Sequence, residues 1–220
     1  MAERKKQTFL RSLECTAEFE DVARRLYGAR NICGIDECAR GNWFGPTVAG
    51  AVILPEALPD SIKGKLRDSK LISPPKRAML AEEIKACAVA WNVATIDVDV
   101  IDRIGIHQAA QMAMEEACHG LDVVPDYLLI DSVSIDFGVR QLSINHGDAL
   151  SVSIAAASIL AKTHHTVLME QLDAQFPAYG FCRHKGYGTK EHMAAIEKHG
   201  LTPLHRRSFS PIKTYATKTR

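Results

Sequence analysis

The chain sets acids at the ends of apolar runs. Gly34 to Pro46 reads GIDECARGNWFGP, with Asp36 and Glu37 adjacent at the close of the run NICGID. Asp131 closes DYLLID, and Asp148 follows QLSIN in the stretch NHGD. If these runs are neighbouring strands, their carboxylates converge at one end of a sheet, where α/β folds usually build sites. Crowded carboxylates repel and resist joint ionisation, a conflict that bound cations remove. Hard Mg2+ or Mn2+ prefer oxygen ligands and keep positions open for water and phosphate oxygens. Two such ions about 4 Å apart can activate a water and steady a leaving oxygen in phosphodiester hydrolysis. The competing reading is that each acid caps a helix or turn, and spacing alone does not choose between them. HExxH, EF-hand, Walker A and GxSxG patterns are all missing from the sequence, so nucleoside-triphosphate and serine-hydrolase chemistries lose support.

The elements that must position these acids follow from periodicity. Glu18 to Gly28 has helical spacing and stops at its glycine. NICGID and TVAGAVIL are short, apolar and β-branched, as buried strands are. A polar connection, Pro59 to Leu71, carries DSK. SPPKRAMLAEEIKA starts a helix, with Ser73 as N-cap and prolines in the first turn. AVAWNVATID reads as a third strand, and IHQAAQMAMEEACHG as a helix ended by Gly120. DYLLID and QLSIN are the fourth and fifth strands. SVSIAAASILAKTHHTVLMEQLDAQF is a long apolar helix whose small residues, Ala155 to Ser158, let it lie close to a sheet. GYGTKEHMAAIEKHG is a turn and a further helix, and PLHRRSF with a polar tail follows. This order predicts an α/β fold, a mixed five-stranded sheet with helices on both faces and a helical C-terminal part. The expected organisation is a helical lead-in over 1–30, a catalytic core over 31–172 and a basic C-terminal part over 173–220, all one structural domain.

Composition bounds the rest. At 220 residues, 46% hydrophobic and 24% charged, the chain is an ordinary globular one. No apolar run approaches a membrane span. MAERKKQTFLRSLE has no apolar core behind its basic residues, so it is not a secretory signal, and a cytoplasmic location is expected. The six cysteines are scattered without a CxxC pair, which predicts free thiols. From Arg183 to Arg220, Lys and Arg outnumber Glu nine to two, while the body is acidic. That asymmetry suits an anionic partner at the tail, or a solvated extension.

Six stretches, in order, resemble the type II ribonuclease H family (ribonuclease HII): GIDECARG, GPTVAGAVIL, DSKLIS, IAAASILAK, HKGYGTKEH and PLHRRSF. The resemblance runs from about Ile32 to Phe209. It implies a ribonuclease H-like fold that cleaves the RNA strand of RNA–DNA hybrids, and ribonucleotides embedded in duplex DNA, leaving 3′-hydroxyl and 5′-phosphate ends. It places the family's metal-binding acids on Asp36, Glu37, Asp131 and Asp148, the quartet the strand ends suggest, and implies two Mn2+ or Mg2+ ions. Its ribose-sensing glycine-arginine-glycine turn falls on Ala39, Arg40 and Gly41. The tyrosine that stacks on the sugar at the RNA-to-DNA junction falls on Tyr187. A 2′-hydroxyl is what separates RNA from DNA, and a small-residue turn can approach it closely. Lys70, Ser158 and Lys162 are expected to support phosphates or the site, although Lys162 reads equally as a packing-edge lysine. Arg183, His184, Lys185, Arg206 and Arg207 are expected along the duplex backbone, which supplies affinity without sequence.

The sequence also departs from the family. Ala39 stands for the first glycine, and its methyl is expected to resist positive φ and crowd the sugar. Asn42-Trp43-Phe44 is similar to the turn of type III ribonuclease H, a type that cuts hybrids well and single embedded ribonucleotides poorly. After Lys162 the family usually shows an Arg-Asp pair where this chain has His165-Thr166, so the helix lacks an acid near its middle; His164 and His165 are expected in solvent rather than beside the site. The chain is expected to be a monomer. The tail SPIKTYATKTR is open to contact with DNA, with a sliding clamp, or with nothing. A hybrid-binding protein without chemistry, and a DNA-processing nuclease, are the rival functions.

Overall fold

The computed structural model describes residues 13–218. The N-terminal stretch that argued against a secretory signal lies almost wholly outside them. After helix α1 (Glu18–Tyr27), closed by Gly28 in the left-handed region, come strands β1 (Ile32–Cys38) and β2 (Thr47–Ile53). A short 3-10 turn at Ser69–Leu71 leads to helix α2 (Pro74–Cys87) and strand β3 (Ala90–Ile96). Helices α3 (Val98–Ile104) and α4 (Ile106–His119) meet at Gly105, whose φ of 85° breaks one helical run in two. Strands β4 (Tyr127–Asp131) and β5 (Arg140–Ile144) follow. The chain finishes with helices α5 (Gly147–Leu150), α6 (Val152–Gln175), α7 (Phe181–His184), α8 (Lys190–His199) and α9 (Ile212–Lys218).

The five strands lie in the order β3-β2-β1-β4-β5. β1 runs antiparallel to β2 and parallel to β4, with Ile35 opposite Ile130. That register brings the end of β1 beside the end of β4. Alternate residues face opposite sides. Cys33, Ile35, Ala49 and Ala51 pack on Ala109, Ala113 and Met114 of α4. On the other face, Val52 packs with Ala155, Ala156 and Ile159 of α6 and with Leu80 and Ile84 of α2. Each large apolar side chain so buried contributes about 1.5–3 kcal/mol.

Helix α6 lies against the strands because the strands offer glycines. A Cβ on Gly34 would sit 2.0 Å from the Ser153 carbonyl carbon, and one on Gly50 would sit 2.6 Å from the Ala157 oxygen. Those clashes are with backbone, which has nowhere to go.

The mixed sheet, the two-faced helical cover and the helical C-terminal part are as expected. Ser73 stands at the N-cap of α2 but makes no side-chain cap bond there. Helices α3, α5, α7 and α9 are additions to the expected order, each of seven residues or fewer, too short for a periodic signal. All six cysteines are free thiols. Among the described residues, no helix is long and apolar enough to cross a membrane.

Candidate active site at the strand ends

β1 delivers two carboxylates with opposite surroundings. Asp36 shares the face of Gly34 and is buried toward α6; its Oδ1 accepts from the Glu37 N–H at 2.8 Å, and Ser158 favours its ionised form. Ser158 is in turn 2.9 Å from the Ser69 hydroxyl of the DSK loop. Glu37, one residue on, turns toward α4 and takes Arg40 Nη1 at 3.0 Å. Its other oxygen, Oε2, is buried without a partner. β4 ends at Asp131, whose Oδ1 accepts the Gly147 N–H at 2.7 Å. The same short helix α5 carries Asp148, whose Oδ2 accepts from Lys70 Nζ at 3.0 Å.

Electrostatics join the four acids. Burial raises the Asp36 carboxyl well above the usual range, and the charges of Glu37, Asp131 and Asp148 raise it further. Burial also raises Glu37, against the pull of Arg40, and Asp148, against the pull of Lys70. Burial opposes the Lys70 charge, but Asp148, Asp68 and Asp36 outweigh it and hold the ammonium above its ordinary value. The quartet is thus one repelling cluster. Among the described residues, no three such side chains stand as a ready cage for an ion; the acids are drawn to donors of the chain itself. The donor set still fits a hard divalent cation: all oxygen, largely buried, mutually repelling, with one buried oxygen unpartnered.

The turn after β1 behaves differently from expectation. Ala39 adopts φ of 67° despite its methyl, and the residue is only 2% exposed. The methyl is therefore enclosed by the protein. Gly41 is exposed, and a Cβ there would meet nothing within 4 Å. The space around it would admit a side chain. Arg40 divides its guanidinium between Glu37 and His107 Nδ1, the latter at 3.0 Å. Nothing in the sequence pairs His107 with Arg40, because the contact crosses from the turn to α4.

Tyr187 is 38% exposed, with Lys162 Nζ 5.2 Å from its ring centroid. Its backbone pairs with Asn42, and Trp43 N–H donates to Gly186 O at 2.9 Å. The unusual Asn42-Trp43-Phe44 segment is thus the seam that fastens the C-terminal part to the turn. Asn42 Nδ2 also donates to Lys185 O at 2.7 Å.

Three expectations need correcting. Arg206 is not a surface phosphate contact: it is 0% exposed and donates to the carbonyls of Arg40, Gly45 and Pro46. Burial lowers its pKa to about 10. His184 is buried against the Tyr179 carbonyl. His165 is buried too, beside Asn42, and burial pulls its pKa down to about 3; only His164 is exposed. Arg183 and Lys185 are ion-paired with Glu191 and Glu170, and Arg207 is exposed.

The fold alone places the chain in a class. The ribonuclease H2 of Pyrococcus horikoshii OT3 aligns with a TM-score of 0.74 at 19% identity, covering 86% of this chain and 98% of its own. A Bst ribonuclease HIII in complex with Mn2+ aligns with a TM-score of 0.64 at 19% identity, covering 90% of this chain and 73% of its own. The sheet is therefore of the ribonuclease H kind. Sequence narrows this. The family model for ribonuclease HII matches residues 33–212. A ribonuclease HII of Koribacter versatilis is 45% identical over 94% of this chain and 80% of its own length. One from Solibacter usitatus is 47% identical over 92% of this chain and 86% of its own length. The chain belongs to the ribonuclease HII family, and is a hydrolase of the nuclease kind.

Proposed function

We propose that this chain hydrolyses the RNA strand of RNA–DNA hybrids and cuts at ribonucleotides embedded in duplex DNA, leaving 3′-hydroxyl and 5′-phosphate ends. Its role would be removal of RNA primers and misincorporated ribonucleotides in the cytoplasm, working as a single chain. The observation that carries the reading is the buried cluster of Asp36, Glu37, Asp131 and Asp148, with Glu37 Oε2 left unpartnered.

Asp36, Glu37, Asp131 and Asp148 would hold two Mn2+ or Mg2+ ions. When bound, the ions supply positive charge that eases deprotonation of an attacking water and steadies the 3′-oxygen as it leaves. The chain's own residues do the rest. Arg40 and Gly41 meet the 2′-hydroxyl, which DNA lacks. The Tyr187 ring stacks on the sugar at the junction. Lys70, which contacts Asp148, and Lys162, which sits against the Tyr187 ring, neutralise phosphate charge. Lys70 would exchange Asp148 for a phosphate oxygen as the carboxylate turns to a cation. Arg183, Lys185 and Arg207 lie in the basic C-terminal part, where a duplex backbone would run.

A labelled RNA–DNA hybrid, an all-DNA duplex and a duplex with one ribonucleotide, each with and without Mn2+, test this directly. Metal-dependent cuts in the first and third alone are expected. Cleavage of the all-DNA duplex would favour a DNA-processing nuclease, and binding without cleavage would favour a hybrid-binding protein.

A further inference from the structure

Behind Tyr187 runs a buried chain of hydrogen bonds that the cleavage chemistry does not use. It begins at a backbone group. The Thr202 N–H donates to His205 Nδ1 at 2.9 Å. An N–H cannot accept, so Nδ1 is the acceptor and the neutral ring carries its proton on Nε2. His205 Nε2 lies 3.1 Å from His192 Nε2. His192 Nε2 must therefore accept, and its proton sits on Nδ1. That nitrogen is 3.0 Å from the carbonyl oxygen of Tyr187. Only this pair of tautomers satisfies every link, and the direction is set by a group that cannot reverse.

Both rings are fully buried. Burial holds His192 down to about 4 and His205 to about 3, so the relay stays neutral in ordinary conditions. His184 stacks on His192 with centroids 4.6 Å apart, and Trp43 closes its other side at 5.6 Å. Phe44 stands edge-on to His205 at 5.3 Å.

The end of the relay is what distinguishes it from ordinary core histidines. Tyr187 sits between Gly186, with φ of 84°, and Gly188. Glycine flanks leave a residue free to swing unless something else fixes it. Gly188 cannot carry a side chain, because the Trp43 ring would be 2.1 Å from its Cβ. Outside contacts therefore do the fixing. The Tyr187 N–H donates to His184 O at 2.9 Å, and its carbonyl accepts from Thr189 N–H and from His192. On the far side, Asn42 pairs with the same residue.

We propose that His192 and His205 are positioning residues that fix the Tyr187 backbone, and through it the sugar-stacking ring, at a set distance from the ribose-facing turn Ala39–Gly41. The proposal rests on the reading of Tyr187 as a sugar contact. It says which residues grade the enzyme between a lone ribonucleotide and a continuous hybrid. A lone ribonucleotide offers one 2′-hydroxyl and one junction, so it depends on both contacts at a correct separation. A hybrid offers many registers and depends on that separation less.

The test compares kcat/KM for a duplex with one embedded ribonucleotide against kcat/KM for a hybrid. His192→Phe keeps a ring and loses both nitrogens. It is expected to lower that ratio about five- to tenfold, the size of one lost hydrogen bond at a positioned group. His192→Asn retains a donor near the Nδ1 position and is expected to recover most of the ratio. In a Tyr187→Ala background, His192→Phe should change the ratio no further, since the coupling then has nothing to act through. An equal loss on both substrates, or a full His192→Phe effect without the tyrosine, overturns the proposal. If His192→Phe does not fold by circular dichroism, His205→Asn carries the same comparison: it keeps the acceptor for Thr202 and falls short of His192. Should the wild type leave the lone ribonucleotide uncut, the ratio is read from anisotropy Kd values for the two duplexes. Loss of all cleavage by the wild type would count against the proposed function, whereas an unmoved Kd ratio counts against the relay.

Discussion

The strand-end acids and the His192–His205 pair are both buried polar clusters, yet they are built on opposite terms. Among the acids, burial and like charge push the carboxyls of Asp36, Glu37 and Asp148 up, and one oxygen has no partner. Their cationic neighbours Arg40 and Lys70 are at least partly exposed. In the histidine pair, burial pushes both groups down to a neutral state and every nitrogen is used. A buried polar cluster is thus a site or a strut according to what it leaves unsatisfied. The acids are completed by something from outside, and the histidines only by the chain itself.

That contrast can be broken or sharpened by measurement. The largest expected effect is on turnover. Asp36→Asn should reduce cleavage of a hybrid by about a thousandfold or more, the scale of lost metal-assisted catalysis, with hybrid Kd within about threefold. Near-normal turnover would end the metal-site reading. The same variant should melt at a higher temperature than the wild type in chelator, because one repelling charge is gone, and Mn2+ should raise its melting temperature less than that of the wild type.

Arg206→Ala comes next. It strands the carbonyls of Arg40, Gly45 and Pro46 in the interior, at about 1–3 kcal/mol for each group not reached by water. A loss of about 3 kcal/mol or more in urea denaturation is expected, and Arg206→Lys should not restore it, lacking the planar fork. A change within about 0.5 kcal/mol would mean that the residue is a surface charge after all.

Acid should separate the two clusters by sign. Unfolded histidines take up protons near pH 6.5, while His192 and His205 do so in the native state only near 4 and 3. The unfolded chain binds more protons in that window, so stability falls as pH drops from about 6.5 toward 4. The raised carboxyls do the reverse, since the native state binds their protons first. His192→Phe should therefore flatten the dependence of stability on pH, and Asp36→Asn should steepen it, each by at most about 1.4 kcal/mol per pH unit. Equal slopes in wild type and both variants would sink the account.

The smallest effect concerns Ala39. Relief of a left-handed alanine is worth about 1 kcal/mol, and loss of a buried methyl costs about 0.8 kcal/mol. Ala39→Gly should shift the melting temperature by less than about 3 °C, and should change cleavage of a lone ribonucleotide less than twofold. A larger gain would show that the methyl does reach the sugar.

The acids were legible because each ends an apolar run, and a strand's period of two is written in the order of residues. The sheet itself and the helix with its run of small residues were legible for the same reason. Arg206, His165 and His184 were not. A basic letter near a basic tail counts toward surface charge, and nothing local says that its donors meet carbonyls far back in the chain. Gly105 splits a helical run for a reason of backbone φ that a hydrophobic pattern does not register. Ala39 misled in the opposite direction: the residue type argues against positive φ, yet the residue holds a φ of 67°.

Arg206 also carries a consequence for biosynthesis. A ribosome makes the acids of β1 early, yet the turn beside them is pinned by a side chain added about 165 residues later, given the separation of 166 residues between Arg206 and Arg40. A nascent chain that already holds Asp36 and Glu37 still lacks the bolt that sets their neighbourhood. The turn beside the two acids is therefore fastened only once the segment that carries Arg206 has been made and has folded back onto it.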